Sequence, residues 1–352
     1  MALYRRDSEF FPNRQAAPAS TWSALLRVLL LAAVILFAVY AAEALLVIFA
    51  GILLAVFLHA VSRGVRRVMP VPGFTATVLV IVMFAGLTAA GIWLLAPRLA
   101  QQAAALYENL PRAFAQIANS QVGNELTKFL PQFNDLIRRA GGLIAPASWF
   151  FSTSVDVIVR SVIILFVGIY LALDPQRYID GLLLLAPPKK RAQAKDVLYS
   201  MAATLRRWTL ARVLLMIGNG ILTSTGLWLL DIPFALTLGL IAGLLNFVPN
   251  LGPIIAGVPA ILIGLLESPS QAMYVALLYL GLQAADGYIF TPLVQQQAVN
   301  LPPALTIASQ LVMGVLLGAW GLLLATPLLA ASIVLVQKLY VEEQKRESPP
   351  RG

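Results

Sequence analysis

The chain has 352 residues, of which 59% are hydrophobic and only 12% are charged, with a net charge of +9. Soluble domains are about 25% charged on average, so this chain cannot cover a globule of its size with a water-compatible surface. The composition excludes a soluble protein and predicts an integral membrane protein.

The scarcity of reactive side chains excludes several kinds of metal-binding and catalytic site. The chain has no cysteine and a single histidine, His59, so we expect no disulfide, no thiolate or multi-histidine metal site and no His-based triad. Its Lys and Arg residues lie between apolar blocks, as the positive-inside rule expects. Because they do not form a basic patch on a polar surface, nucleic acid is not an expected partner. No nucleotide-binding loop is present. The sequence predicts a non-enzyme with no cofactor.

The first 95 residues predict a cytoplasmic tail and three membrane spans. The tail, 1–23, is polar and mixed in charge. The apolar run Ala24–Ala60 fits two spans joined by a tight turn at Glu43, because one span needs only about 20 residues. Three arginines at 63–67 mark a return to the cytoplasm. A third span then completes the segment 24–95.

The middle of the chain predicts two amphipathic regions around a fourth span. Residues 96–152 have apolar residues at helical spacing but too many charges for a span, which is typical of helices outside the bilayer. Residues 153–173 form the fourth span, and the bases of 174–209 place that segment in the cytoplasm. The apolar side chains expected to face the membrane there are Val197, Met201, Leu205 and Trp208.

The last third has no Lys or Arg from Val213 to Gln337. Within this predicted transport core, 210–337, the runs Pro233–Leu266 and Pro302–Gln337 are too long for one crossing and short for two. We expect each to be a broken helix, which membranes tolerate where it lines a cavity or is buried in protein. The basic tail, 338–352, returns to the cytoplasm.

These segments predict an all-α polytopic membrane protein. It has about six full transmembrane helices plus two broken or re-entrant segments, with amphipathic helices outside the bilayer. A faint internal repeat relates the broken segments, since IPFALT at 232–237 matches LPPALT at 301–306. With both termini in the cytoplasm, the two segments would enter the membrane from opposite faces, as in an inverted repeat.

The break at residues 246–253 is the strongest candidate site, with two Asn, two Pro and one Gly. Free N–H groups after Gly252 would suit an anionic or hydroxyl-rich solute, and Asn side chains or carbonyls could hold a cation. The alternative is a structural kink. Asp286 is a candidate for proton or cation coupling, or else an interfacial residue.

The complete predicted substrate pathway contains no catalytic and no metal-binding residue. Its members are Asn246, Pro249, Asn250, Gly252, Pro253, Gln283, Asp286, Asn300, Pro302, Gly314, Gly318, Gly321 and Pro327.

Four stretches resemble the autoinducer-2 exporter (AI-2E) family of bacterial inner-membrane permeases. They are DPQR at 174–177, GLLNFVPNLGPII at 243–255, LPPALT at 301–306 and GAWGLLLATPLLA at 318–330. The resemblance covers residues 24–340. It implies export of small molecules, in some members a furanosyl quorum-sensing signal and in others cations exchanged for protons. It also implies a homo-oligomer, with a pentamer as one candidate.

Two departures from the family pattern leave the substrate open. The family usually has an aromatic residue where this chain has Asn250, and relatives often have a basic residue after the proline that matches Pro292. The sequence therefore predicts an inner-membrane permease that exports a small polar solute or signalling molecule, by a secondary-active or facilitative mechanism. The alternatives are a sodium/proton antiporter and a non-transporting membrane scaffold.

The inverted repeat can be tested by cysteine labelling, because the chain has no native cysteine. We expect cysteines at 249–253 to react with a membrane-impermeant maleimide from one side of the membrane, and cysteines at 318–321 from the other. Labelling of both sets from the same side in every transport state would contradict the inverted arrangement.

Overall fold

The computed structural model describes residues 21–91, 147–290 and 301–341, together with residues 93, 94, 97 and 101. Every regular element among them is a helix, in agreement with the predicted all-α class. The chain divides into two compact units, Met1–Leu45 and Leu46–Gly352. The first unit contains the beginning of helix α1 in its described part, and the candidate site lies in the second.

The helical bounds in the described parts of the chain are as follows. They are α1 Thr21–Val68, α2 Gly73–Gly91, α3 Ala147–Leu173, α4 Pro175–Leu184, α5 Arg191–Leu229, α6 Ala235–Leu245, α7 Leu251–Glu267, α8 Pro269–Ala285 and α9 Pro303–Val336. A π-helical turn follows α8 at Asp286–Phe290, and another follows α9 at Gln337–Val341. Five helices in these ranges are long and apolar enough to cross a membrane, or six with the bent pair α3–α4.

Helix α1 corrects the predicted turn at Glu43. The helix continues from Thr21 to Val68 through Glu43, so residues 24–60 do not form two spans joined there. Residues 21–50 contain neither Gly nor Pro and are rich in Ala and Leu. Since nothing in this stretch disfavours helical backbone, and Glu is itself a good helix former, a single charge does not end the helix.

Asp174 and Pro175 turn the chain sharply between α3 and α4. The backbone N–H of Arg177 donates to Asp174 Oδ1 at 3.3 Å, and Pro175 occupies the first turn of α4. An Asp cap followed by proline is a strong helix start. The described part of α3, Val157–Leu173, and α4 are therefore separate helices at 90° to each other.

Helix α5 corrects one expectation about the basic segment. It runs without interruption from Arg191 to Leu229, across the predicted boundary at 209/210. Leu205 and Trp208 are buried, as is Val197, and do not face the membrane. Leu205 packs in a core cluster with Leu46, Leu53, Leu324 and Ala331. The apolar stripe of α5 is therefore a helix-packing surface.

The first broken segment forms a helical hairpin, α6 and α7, which we call the first hairpin. Its tip is Asn246–Asn250, and Asn250 has a φ of 65°, a value that Asn tolerates better than bulkier residues do. Glycines bring α6 against α5, since a β carbon on Gly243 would lie 3.0 Å from Gly220 Cα. Helices α6, α7 and α8 share one core cluster, which includes Leu238, Ile263 and Val275.

The second broken segment is also a hairpin, which lies within α9 and which we call the second hairpin. Gly318 has a φ of 61° and a ψ of −148°, a backbone that essentially only glycine adopts. Gln310 Nε2 lies 3.3 Å from Thr326 Oγ1 across the hairpin. In a straight helix these residues would be about 24 Å apart, so the two arms fold back on each other at Gly318.

The two hairpins share features at matching or adjacent positions of the sequence repeat. A proline precedes each first arm, at Pro233 and Pro302, and a residue with positive φ lies at each tip. Gly252 and Gly321 correspond in the repeat, and each packs its second arm closely against the first arm. The repeat seen in the sequence therefore corresponds to a repeated helix–break–helix structure.

Most of the predicted amphipathic region 96–152 lies outside the described residues, as do 1–20 and 342–352. In the described part of the tail, Lys338 Nζ lies 3.1 Å from Asp196 Oδ2 on α5. The C-terminal end of α9 therefore contacts the basic half of α5.

Gly252→Ala should destabilise the protein, by about 1–3 kcal/mol or more. A β carbon at Gly252 would overlap the backbone carbonyl oxygen of Leu245, which cannot move without opening the hairpin. The control is Gly281→Ala on α8, where a β carbon has no neighbour within 4 Å among the described residues. That change should leave the midpoint of thermal unfolding unchanged or raise it, because alanine favours helix. Equal midpoints for the two variants would contradict the close approach at Gly252.

Candidate functional site

At the tip of the first hairpin, the carbonyl groups of Phe247 and Pro249 lie outside the regular helical hydrogen bonds, and Pro249 O accepts a bond from Leu251 N within the tip at 2.7 Å. Within apolar surroundings an unpaired carbonyl is costly, so the partners of these groups identify what holds the tip. Two buried polar side chains supply hydrogen bonds to the tip, Arg212 from α5 and Gln310 from the first arm of the second hairpin.

Arg212 supports the tip from α5. Its side chain is buried, with 2% exposure. Its Nε donates to Phe247 O at 3.2 Å, and its Nη2 donates to Asn246 Oδ1 at 3.4 Å. The carboxylate of Asp286 exerts an electrostatic attraction on the Arg212 guanidinium. A buried cation is tolerated where hydrogen bonds and an opposite charge compensate its lost hydration.

Asn246, at the tip itself, donates a hydrogen bond back to α5. It is completely buried, and its Nδ2 donates to Leu215 O on α5 at 3.4 Å. The ring of Phe247 packs edge-on against Trp208, with 5.5 Å between the ring centroids. About two turns of α5, from Trp208 to Leu215, therefore hold the first two tip residues by hydrogen bonds and by an aromatic contact.

Gln310 joins the tip to the second hairpin. Its side chain is completely buried, and its Nε2 donates both to Pro249 O at 3.0 Å and to Thr326 Oγ1 at 3.3 Å. The Gln310 amide therefore links the two hairpins. Near the tip of the second hairpin, Arg160 of α3 lies over the Trp320 ring, 5.7 Å from its centroid. This distance is within the range of a cation–π contact.

A cavity of about 310 Å³ lies between α5 and the end of α8. Asp286 and Asn219 are its polar members, and Asn219 Oδ1 accepts a hydrogen bond from Thr223 Oγ1 at 2.9 Å. The remaining lining is apolar and consists of Leu214, Leu215, Ile217, Gly218, Leu222, Leu282 and Phe290. Asp286 therefore lines this cavity and is close enough to Arg212 to attract its charge.

The structure brings several predicted pathway residues together and separates others. Asn246 and Pro249 belong to the network just described, and the buried Gly252 and Pro253 begin α7 beside it. Asn250 is exposed and Asp286 lines the cavity.

The other predicted pathway residues lie apart from this network. Gln283 Oε1 is buried and has no partner within the described ranges. Gly314, Gly318 and Gly321 surround the second tip, Pro327 is buried in its second arm, and Pro302 is exposed before α9. Asn300 lies outside the described residues.

The sequence reasoning missed the two side chains that hold the tip. Arg212 is not among the predicted pathway residues, although it lies at the start of the predicted transport core and continues the buried stripe of Leu205, Trp208 and Leu215 at helical spacing. The signal in the sequence is a basic residue, Arg212, within the apolar stripe of a predicted helix. Gln310 had only the weaker signal of an amide within an apolar helix.

The sequence profile described as "AI-2E family transporter" matches residues 26–340. The chain belongs to the AI-2E transporter family. It is 22% identical over 307 residues to YueF of Bacillus subtilis (strain 168), named as a candidate transport protein, a match that covers 80% of this chain and 82% of YueF.

Two Escherichia coli (strain K12) proteins match shorter parts of this AI-2E family chain. The AI-2 transport protein TqsA is 29% identical over 126 residues, 36% of this chain and 37% of TqsA. The permease PerM, whose name is likewise provisional, is 28% identical over 143 residues, 40% of each chain. Membership in this family identifies the chain as a multi-pass membrane protein of a transporter family.

Arg212→Met should destabilise the protein by about 3–5 kcal/mol, because it leaves buried groups at the tip and Asp286 without their cationic partner. The matched control is Arg66→Met, since Arg66 is exposed at the end of α1 and surface changes are usually within about 0.5 kcal/mol. Thermal unfolding in detergent measures both. A wild-type midpoint for Arg212→Met would contradict the role of Arg212.

Proposed function

We propose that this chain is a permease of the bacterial inner membrane that exports a small polar solute or signalling molecule. Movement is secondary-active or facilitative, both termini face the cytoplasm, and the working form is a homo-oligomer. The solute passes the tip of the first hairpin.

The observation that carries this proposal is the buried network at the tip. A broken helix with a buried cation and two amides is an expensive arrangement in an apolar chain, and such groups typically mark substrate pathways. The network also supplies suitable chemistry. The donors of Arg212 and Asn246 can bind an anionic or hydroxyl-rich solute in place of their present acceptors.

Alternating access requires that the tip can separate from its supports. Each support at the tip is a small number of hydrogen bonds, namely two from Arg212, one from Asn246 and one from Gln310 to Pro249. The first hairpin packs on α5 through glycines, a surface that permits close sliding contact. We propose that the two hairpins move relative to the first spans and that these bonds exchange during transport.

Sodium/proton antiport is the second candidate function, and Asp286 is the observation that favours it. Asp286 lines the cavity, and its carboxylate attracts the Arg212 cation electrostatically. A carboxylate whose charge is balanced by a buried cation can exchange that partner for sodium or a proton during a cycle.

Transport in proteoliposomes tests both functions. AI-2 is the first solute to use, because one relative is named an AI-2 transport protein. We expect wild-type protein to move AI-2 faster than protein-free vesicles do, and Arg212→Met to reduce the rate at least tenfold.

Sodium-driven proton flux, recorded with a pH dye and lost in Asp286→Asn, would favour antiport. Absence of both fluxes from correctly folded wild-type protein would contradict the permease and favour the scaffold alternative. Arg66→Met again serves as the control with wild-type rates.

A further inference from the structure

The amide of Gln310 has one atom that the fold leaves without a partner. Its Nε2 donates twice, but its Oε1 is buried and accepts no hydrogen bond from any residue in the described ranges. The side chain as a whole is completely buried. A buried acceptor without a donor costs free energy, and in a folded protein it calls for a specific explanation.

The orientation of this amide follows from its neighbours. A carbonyl oxygen can only accept, so Pro249 O requires the nitrogen of the Gln310 amide and not its oxygen. Rotating the amide by 180° would place Oε1 against Pro249 O and lose that bond. The unpaired atom is therefore an acceptor, and its partner must be a hydrogen-bond donor.

The contacts of the Gln310 amide connect it with the proposed pathway. Gln310 contacts the first tip at Pro249, which is only partly buried, and the next residue, Asn250, is exposed. A solute that reaches the tip is one residue from the amide. Thr326 on the opposite arm of the second hairpin holds the same amide in place, so the acceptor is fixed before any solute arrives.

We propose that Gln310 Oε1 is a substrate-binding acceptor, which selects solutes that carry a hydroxyl or amino donor. This inference rests on the proposed transport function and adds the chemical class of the solute. A rigid buried acceptor discriminates strongly against analogues that lack the donor, because such an analogue leaves the acceptor unpaired. Purely apolar solutes and fully deprotonated anions are therefore rejected.

The test compares Gln310→Met with Thr326→Val in proteoliposomes, with AI-2 as the probe. Gln310→Met removes the acceptor and nearly preserves volume, whereas Thr326→Val removes one bond to the amide and leaves Oε1 in place. We expect Gln310→Met to raise the AI-2 concentration for half-maximal transport at least tenfold. Thr326→Val should change it less than threefold. Gln310→Asn, which withdraws the amide by one methylene group, should lie between them and serves if Gln310→Met does not fold.

A merely structural bridge would give a different result. If Gln310→Met keeps the wild-type half-maximal concentration, or if both variants lower only the maximal rate, the acceptor role is overturned. Thermal stabilisation of purified wild-type protein by AI-2 separates the two proposals. Stabilisation without transport overturns the permease function alone, whereas neither stabilisation nor transport overturns both for this solute.

Discussion

The fold depends on satisfying the carbonyl groups that two interrupted helices release into apolar surroundings. A continuous helix pairs its own backbone, but each break leaves groups that neither lipid nor an aliphatic core can bond. At the first tip the Arg212 guanidinium donates to Phe247 O, and the Gln310 amide donates to Pro249 O, which also accepts from the backbone N–H of Leu251. These two side chains come from different helices, so both α5 and the second hairpin support the tip.

This requirement links stability to function. The donors that bond the carbonyl groups at the break are also the polar groups that a solute would meet at the tip. Asn246 and Arg212 hold the tip against α5, while Gln310 holds it against the second hairpin. The tip is thus a junction between two parts of the chain, and exchange of a few hydrogen bonds there is enough to change its contacts.

Much of the fold follows from local sequence, and the rest depends on packing. The break at Asn246–Pro253 and the glycine break at Gly318 could be predicted because Pro, Asn and Gly act locally on backbone geometry. The prediction of a turn at Glu43 is wrong, because one charged residue does not break a run of strong helix formers. Arg212 and Gln310 were missed because their roles depend on contacts with residues 34 to 61 positions away.

Arg212 and Gln310 together hold the first tip. Hydrogen–deuterium exchange of the backbone amides at 246–252 measures this directly in wild-type protein, Arg212→Met and Gln310→Met. Exchange in this segment should become faster in each variant, while the amides of α8 at 272–280 keep their wild-type rates, because loss of a support opens the tip locally. Unchanged exchange at 246–252 in both variants would contradict this role of the two side chains.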